Sequence, residues 1–291
     1  MKISIIGSGW VGAMLGTTLT KNNEVIFFDI SQKRIDELKS RGLNATPDID
    51  YAINNSDLSF ITVPTPEKNG KIDLSFIEKA SEMIGNAIAK KPTYHIVVVK
   101  STVVPGTSED TVKPILEKYS LKQVGKDIGL CMNPEFLTQI HASWIDKEEF
   151  KRTPETEERI VIGEYDKRSG DLLERIYKHL NIPIIRTDLK TAEFVKYACN
   201  CCLASRISFW NEIFLICQKA GIDPNKIAEI ASMDKRIGKY GTVHGKAFSG
   251  TCFPKDTKAF IHWSSQFEDP VMLKAVDKIN EHMKKNYGTR E

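Results

Sequence analysis

Residues 249–256 read Ser-Gly-Thr-Cys-Phe-Pro-Lys-Asp. Proline is well suited to the first turn of a helix, so Cys252 would face a helix N-terminus, with Lys255 nearby. Both features lower a thiol's pKa and favour the nucleophilic thiolate. Asp256 follows four residues after Cys252, where a first-turn Asp stabilises the helix dipole. Lys196 and Asn200 are also four apart, in a stretch without Gly or Pro, so they share a helix face with the small residues Ala192 and Ala204. A lysine and an amide on such a face could stabilise an oxyanion; the alternative is a solvated lysine and a satisfied amide. Glu135, after a proline in a strand-end loop, could be a general base for a water or an alcohol, or a cap.

These residues need a scaffold, and the first two thirds of the chain supply one. Apolar runs at 2–6, 24–28, 58–63, 95–100, 128–132, 159–162 and 182–186 alternate with helical stretches near 10–20, 31–41, 73–90, 107–119 and 168–180. Such alternation predicts an α/β fold, a parallel doubly wound sheet covered on both faces. The run 188–220 predicts one long helix of about 50 Å, a connecting or dimer-forming element. Gly221 stops it, and Asp223-Pro224 starts the next helix as N-cap and first-turn proline. The rest reads as helical apart from 238–251, and 284–291 as a frayed or linker-like tail. The expected division is 1–187 for a Rossmann-type domain and 188–291 for the long helix and a smaller helical domain.

The first strand leads into Gly7-Ser8-Gly9-Trp10-Val11-Gly12. In this context the glycines permit a tight turn, backbone approach to a pyrophosphate and close helix–strand packing. Asp29 ends the second strand, where a carboxylate accepts ribose hydroxyls and repels a 2′-phosphate, which favours NAD over NADP. Arg34 would stack on adenine or, in other settings, recruit a phosphate. Polar clusters follow three successive strands: Thr65-Pro66, Ser101-Thr102 and Asn133-Pro134-Glu135. Ligands of open α/β sheets bind at these carboxyl ends, so the clusters read as one site.

Composition narrows the class. With 41% hydrophobic and 27% charged residues and a net charge of +3, the chain reads as globular, with no general attraction to nucleic acid. No apolar run has the length of a membrane span. Lys2 leads directly into a strand, unlike a signal peptide, so a cytoplasmic location is expected. Of six cysteines, Cys199, Cys201, Cys202 and Cys217 fall on the long helix, where small buried packing is the expected role. The Cys199-x-x-Cys202 spacing lacks the second pair of a four-ligand zinc site, and no metal is expected.

Taken together, Gly7-x-Gly9-x-x-Gly12, Val63-Pro-Thr-Pro66, Lys100-Ser-Thr102, Asn133-Pro-Glu-Phe-Leu137, Glu193-x-x-Lys196-x-x-x-Asn200, Asn211-Glu212, Arg236-Ile-Gly238 and Cys252-Phe-Pro-Lys-Asp256 resemble the UDP-glucose/GDP-mannose dehydrogenase family, most closely its UDP-glucose-oxidising members. The resemblance runs from residue 1 to about 280. It implies oxidation of a nucleotide sugar's C6 alcohol to the acid with two NAD in turn, through a thiohemiacetal and a thioester on Cys252. It implies oxyanion stabilisation by Lys196 and Asn200. Asp256 and Glu135 would be acid/base and water-orienting groups, with Thr102 close to that water. Phe136 and Leu137 resemble a substrate loop, and Arg236 a residue reaching a dimer partner's substrate. Residues 240–250, including Tyr240, Gly245, Phe248, Ser249 and Gly250, resemble the loop around sugar and diphosphate. Thr65, Pro66, Ser101, Gln139 and Lys255 fall at cofactor positions. A homodimer through the long helix is implied.

Three departures stand out. Gln139 stands where the family often has Glu. Ala247 and Ser249 stand in a loop that is usually richer in glycine, and non-glycine residues take φ > 0 at a cost. Family members also carry a third, nucleotide-binding domain of roughly 100–150 residues. This chain stops where the connection to it should begin, so the expectation is a severely raised KM or no turnover. Competing readings are a GDP-mannose or N-acetylhexosamine-nucleotide dehydrogenase, a hydroxyacid dehydrogenase, which has no use for the Cys252 segment, and a non-catalytic or partner-dependent NAD-binding dimer module.

Overall fold

A computed structural model of the chain describes residues 1–138 and 152–290. It divides into two compact units, one formed by Met1–Pro66, Asp73–Phe136 and Thr153–Lys196, the other built on Tyr197–Glu291 with Glu67–Ile72.

The first unit is a doubly wound sheet. Its strands are β1 (Lys2–Ile6), β2 (Glu24–Phe28), β3 (Ala45–Thr46), β4 (Leu58–Ile61), β7 (His95–Val99), β8 (Ile128–Met132), β9 (Ile160–Glu164) and β10 (Ile184–Thr187), in the spatial order β10-β9-β8-β7-β4-β1-β2-β3. All neighbours are parallel except β8 and β9. Successive residues point to opposite faces, and both faces are apolar. Ile5, Phe27, Phe60 and Val98 pack on one side; Ile6, Phe28, Ile61 and Val99 on the other. Each such side chain, fully buried, contributes about 1.5–3 kcal/mol of transfer free energy.

The first side also takes residues of α1 (Trp10–Leu19), α2 (Gln32–Ser40) and α6 (Lys167–Tyr177); the second takes residues of α3 (Ile49–Asn54), α4 (Ser75–Ala89) and α5 (Lys113–Ser120). A Cβ at Gly16 would enter the Phe27 ring, so glycine sets how closely α1 lies on the sheet. The stretch 107–119 is less regular than expected: a π-helical turn, Ser108–Val112, precedes α5.

The helix α7 (Leu189–Ala220) covers the predicted long run. In the second unit follow α8 (Pro224–Ala231), α9 (Phe253–Ser264) and α10 (Val271–Tyr287). Asp223 caps α8 as expected, its Oδ1 accepting the Asn225 N–H at 2.9 Å. A small hairpin of β5 (Glu67–Lys68) and β6 (Lys71–Ile72), absent from the sequence reading, turns through Asn69 and Gly70, both at positive φ. The expectation of a frayed tail at 284–291 is corrected: α10 continues to Tyr287, and residues 288–290 pair with Ala247. Its polar composition suggested a linker, but its bonds are made mostly by backbone groups, which composition does not report. Among the described residues no helix is long and apolar enough to cross a membrane.

The strand ends opposite the carboxyl edge of the sheet hold a buried polar chain. Lys91 Nζ donates to the Ile53 carbonyl at 2.9 Å and to that of Ser56, ending α3, and to His95 Nδ1 at 2.9 Å. His95 Nε2 must then donate to Ser59 Oγ (2.7 Å), which bonds Ser4 Oγ (2.6 Å). Burial, assisted by the Lys91 charge, lowers the His95 pKa from 6.5 to about 3. The folded state therefore resists a proton that the unfolded state accepts. Stability from this group is complete above pH 6.5 and is lost as pH falls towards 3, at up to about 1.4 kcal/mol per pH unit. Urea unfolding between pH 7 and pH 4.5 should show a steeper loss for the native chain than for His95→Gln by about that slope; parallel profiles would contradict the assignment.

Candidate active site

The dinucleotide turn sits at the carboxyl end of β1. Gly7 has φ +93°, and a Cβ on Gly12 would strike the Gly7 carbonyl and lie 2.6 Å from Thr62 Oγ1. Gly9 is the N-cap of α1 with no side-chain cap bond, and a Cβ there would meet nothing within 4 Å. No side chain caps the start of α1, which suits a pyrophosphate. Asp29 braces this turn: its Oδ2 accepts the Ser8 N–H at 2.8 Å and its Oδ1 the Ser31 N–H at 2.9 Å. Arg34 Nε donates to the Ser8 carbonyl at 2.6 Å, and its Nη1 pairs with Glu37 at 2.9 Å. Arg34 therefore belongs to the frame of the turn. Trp10 is exposed beside it and Val11 half-buried. The fit to a dinucleotide is good on these grounds.

Thr65 Oγ1 donates to the Thr102 carbonyl at 2.8 Å, and Ser101 Oγ to that of Val63 at 2.7 Å. The loops after β4 and β7 are thereby joined, Pro66 following directly. The Ser101 hydroxyl proton is committed within this frame. Gln139 lies outside the described residues.

Around β8 the first unit buries an alternation of charges. Lys196, on α7, is 3% exposed; its Nζ donates to the Glu135 carbonyl at 2.6 Å and to Glu135 Oε1 at 3.0 Å. Glu157 accepts the Phe136 N–H at 3.1 Å. Lys100 donates to Asn133 Oδ1 at 3.0 Å, which also accepts Tyr177 OH at 2.6 Å. Desolvation lowers the Lys100 pKa, opposed by Glu157 and Glu135; it raises that of Glu157, opposed by Lys100. The Phe136 ring lies under the Arg159 guanidinium at 4.5 Å and the Lys196 ammonium at 5.6 Å; Leu137 is partly buried. Glu193, one turn before Lys196, accepts the Gly106 and Ser108 N–H groups at 2.5 and 2.8 Å, and burial lifts its pKa to about 7.

The sequence reading gave no role to Lys100, Glu157 or Glu193, and placed Asn133 only in a strand-end polar cluster. For Glu193 the signal was available, as an acid three residues before Lys196 on the same helix.

In the second unit Cys252 is the N-cap of α9, with Pro254 in the first turn. Its thiol is half-buried and lies 3.8 Å from Thr251 Oγ1. Asp256 is 1% exposed and holds two donors: Lys255 Nζ on Oδ1 at 2.6 Å and Asn200 Nδ2 on Oδ2 at 2.7 Å. The Lys255 charge is thus engaged by Asp256. Other thiols lack such surroundings: burial pushes Cys131 and Cys201 up to about 12, the latter assisted by the Asp256 charge. Phe248 is buried edge-on against Phe253 at the start of α9. Tyr240 gives its carbonyl to Arg206 Nε at 3.1 Å. Arg236 projects outward, its side chain 91% exposed and paired with Asp234 at 2.6 Å.

Comparison with known proteins agrees with this geometry. The model of the UDP-glucose/GDP-mannose dehydrogenase family, NAD binding domain, matches residues 1–44 and 38–181, and that of the family's central domain matches 190–282. A GDP-mannose 6-dehydrogenase of Pseudomonas aeruginosa is 39% identical, the match covering 92% of this chain and 65% of that protein. A UDP-glucose 6-dehydrogenase of Bacillus subtilis is 34% identical, over 96% and 63% respectively. The structure of a UDP-glucose dehydrogenase from the archaeon Pyrobaculum islandicum matches with a TM-score of 0.88 and 32% identity, over 98% of this chain and 68% of that one. The chain thus spans about two thirds of the length of these relatives. With its NAD-binding and central domain models both matched, the chain belongs to the UDP-glucose/GDP-mannose dehydrogenase family.

Proposed function

We propose that the chain carries the chemistry of a nucleotide-sugar 6-dehydrogenase, oxidising the C6 alcohol of a nucleoside-diphosphate hexose to the uronic acid. The observation that carries this reading is Cys252 at the N-terminus of α9, a half-buried thiol where a helix favours the anion. UDP-glucose and GDP-mannose are the two candidate substrates, since relatives named for each are similar to this chain. Residues 1–187 would hold NAD, through residues 7–12, Asp29 and the loops of Thr65 and Ser101, and 188–291 would supply the long helix and the substrate and dimer elements.

Two NAD bound in turn would each accept one hydride, one in each of two oxidations. The first turns the alcohol into an aldehyde, with loss of the hydroxyl proton. The Cys252 thiolate then adds to the carbonyl carbon, forming a C–S bond and a thiohemiacetal. After the second oxidation the sulfur is held in a thioester. Water adds there, and the C–S bond breaks to give the acid and the thiol. A plain alcohol dehydrogenase has no need of the thiol. Lys196 would stabilise the oxyanion of each tetrahedral stage, with Asn200 assisting. Glu135, with Thr102, would orient the water, and Asp256 would exchange the proton. Phe136, Leu137, Arg236 and the 240–250 loop would grip the substrate. Lys255 would neighbour the cofactor.

The same reading includes a cytoplasmic homodimer. Phe209 and Ile216, two turns apart on α7, are 53% and 56% exposed, an apolar stripe that a second copy could cover. A second reading is a non-catalytic NAD-binding module, supported by the match of residues 1–44 and 38–181 to the NAD binding domain model.

With NAD and either sugar nucleotide, the chain should form two NADH per sugar, and Cys252→Ala should lower acid formation by about 10³-fold or more. NAD binding by calorimetry without turnover of either would favour the module. Lys196→Ala should lower kcat by about 10²–10³-fold and destabilise the chain by about 3–5 kcal/mol by removing one partner of a buried pair. Lys196→Ala/Glu135→Gln should regain the stability but not the rate; recovery of both would remove Lys196 from the chemistry. In sedimentation, Phe209→Glu/Ile216→Glu should convert a dimer to a monomer of unchanged helicity. A native chain that sediments as a monomer at micromolar concentration would dismiss the interface.

A further inference from the structure

Residues 244–249 form no helix or strand, yet their backbone is held at almost every step. Arg290 Nη2 donates to the His244 carbonyl at 2.8 Å. Asn211 takes the next two: its Oδ1 accepts the Gly245 N–H and its Nδ2 donates to the Lys246 carbonyl, both at 2.9 Å. The Ala247 N–H donates to the Gly288 carbonyl at 3.0 Å, and the Ala247 carbonyl accepts the Arg290 N–H at 3.2 Å. Asn280, 3% exposed, accepts the Phe248 N–H at 2.8 Å and donates to its carbonyl at 3.2 Å. Ser249 Oγ donates to the Arg290 carbonyl.

Two asparagines and residues 288–290 thus replace the missing strand partner. The three residues beyond α10 are themselves aimed. Tyr287 bonds Gln218 Oε1 at 2.9 Å and meets the Phe214 ring edge-on at 5.5 Å, and His244 stacks on the same ring at 5.3 Å. Gly288 then has φ +78° and ψ −174°, a backbone region that is essentially glycine-only. That turn sends the chain back along the loop.

We propose that residues 288–290 are a strap that sets the conformation of residues 244–249, making Arg290 and Ser249 positioning residues for the loop ahead of Cys252. That this loop meets the sugar nucleotide rests on the function proposed above; that the strap orders it does not.

The test compares the native chain with Gly288→Ala, Arg290→Pro and Ser249→Ala. A Cβ at Gly288 would meet nothing within 4 Å, so its substitution acts on the backbone turn alone. Arg290→Pro removes both the N–H and the guanidinium. Amide exchange followed by mass spectrometry should accelerate about tenfold or more across 245–249 in Gly288→Ala and Arg290→Pro, with exchange in the sheet unchanged. Cys252 should be alkylated faster by iodoacetamide, and Ser249→Ala should show a smaller change in the same direction. Native exchange in both strap variants would overturn the strap. Where turnover is present, a raised KM for the sugar nucleotide with a smaller change in kcat would join the strap to substrate binding. Faster exchange with unaltered binding of UDP-glucose and GDP-mannose would uphold the strap and remove the loop from the substrate site.

Discussion

A peptide group withdrawn from water must find a hydrogen-bond partner, and this constraint bears hardest on two irregular segments, one in each unit. Residues 133–137 leave the sheet at the end of β8, and residues 244–249 precede Cys252. Neither has a neighbouring strand to bond. The first is satisfied by buried ionisable groups: Lys100 on the Pro134 carbonyl at 3.4 Å, Lys196 on that of Glu135 and Glu157 on the Phe136 N–H. The second is satisfied by neutral amides and by residues 288–290. The choice has consequences. Charged partners bring a strong local field with them, whereas amides hold a backbone without biasing a nearby thiol.

The charged solution is stable only as a set. Burying one ammonium or carboxylate costs several kcal/mol, and removing one member of a buried pair leaves that cost uncompensated. Lys196 with Glu135 and Lys100 with Glu157 offset each other, which is why desolvation and the opposing charge act against one another on both Lys100 and Glu157. A lysine fixed in this way has already lost its rotamer freedom, so in the proposed reaction little reorganisation would precede its meeting developing negative charge. Glu193 anchors the same turn of α7 to the loop after β7. The position of Lys196 is thus fixed from two sides.

Much of this fold was legible because strands buried on both faces are nearly continuous apolar runs, which short sequence windows detect well. What escaped was short. The helix α3 has six residues and β3 has two, too few to show a period. The β5–β6 hairpin did carry a signal, the pair Asn69-Gly70, which suits a tight turn with both φ positive. Spacing placed Lys196 with Asn200 on one helix face, Cys252 at a helix N-terminus and Asp256 in the first turn of that helix. It could not reveal that Asn200 bonds Asp256, 56 residues away, or that Lys196 bonds Glu135, 61 away. Asn133, Glu157, Asn211 and Asn280 act through the same kind of distant contact, for which local sequence has no pattern.

The loop before Cys252 shows why a departure from an expected pattern must be weighed against backbone geometry. Glycine is required there only where φ is positive, and in this stretch those positions are Gly241, Gly245 and Gly250. Ala247 and Ser249 are not among the residues at positive φ, so their side chains carry no such strain. Ala247 is wholly buried and gives both its peptide groups to the strap; Ser249 adds a hydroxyl bond that glycine could not make. The two substitutions therefore fall on the two residues that residues 288–290 bond through Ala247's peptide groups and Ser249's hydroxyl. Their effect is on how firmly the loop is held, and a change of substrate does not follow from them.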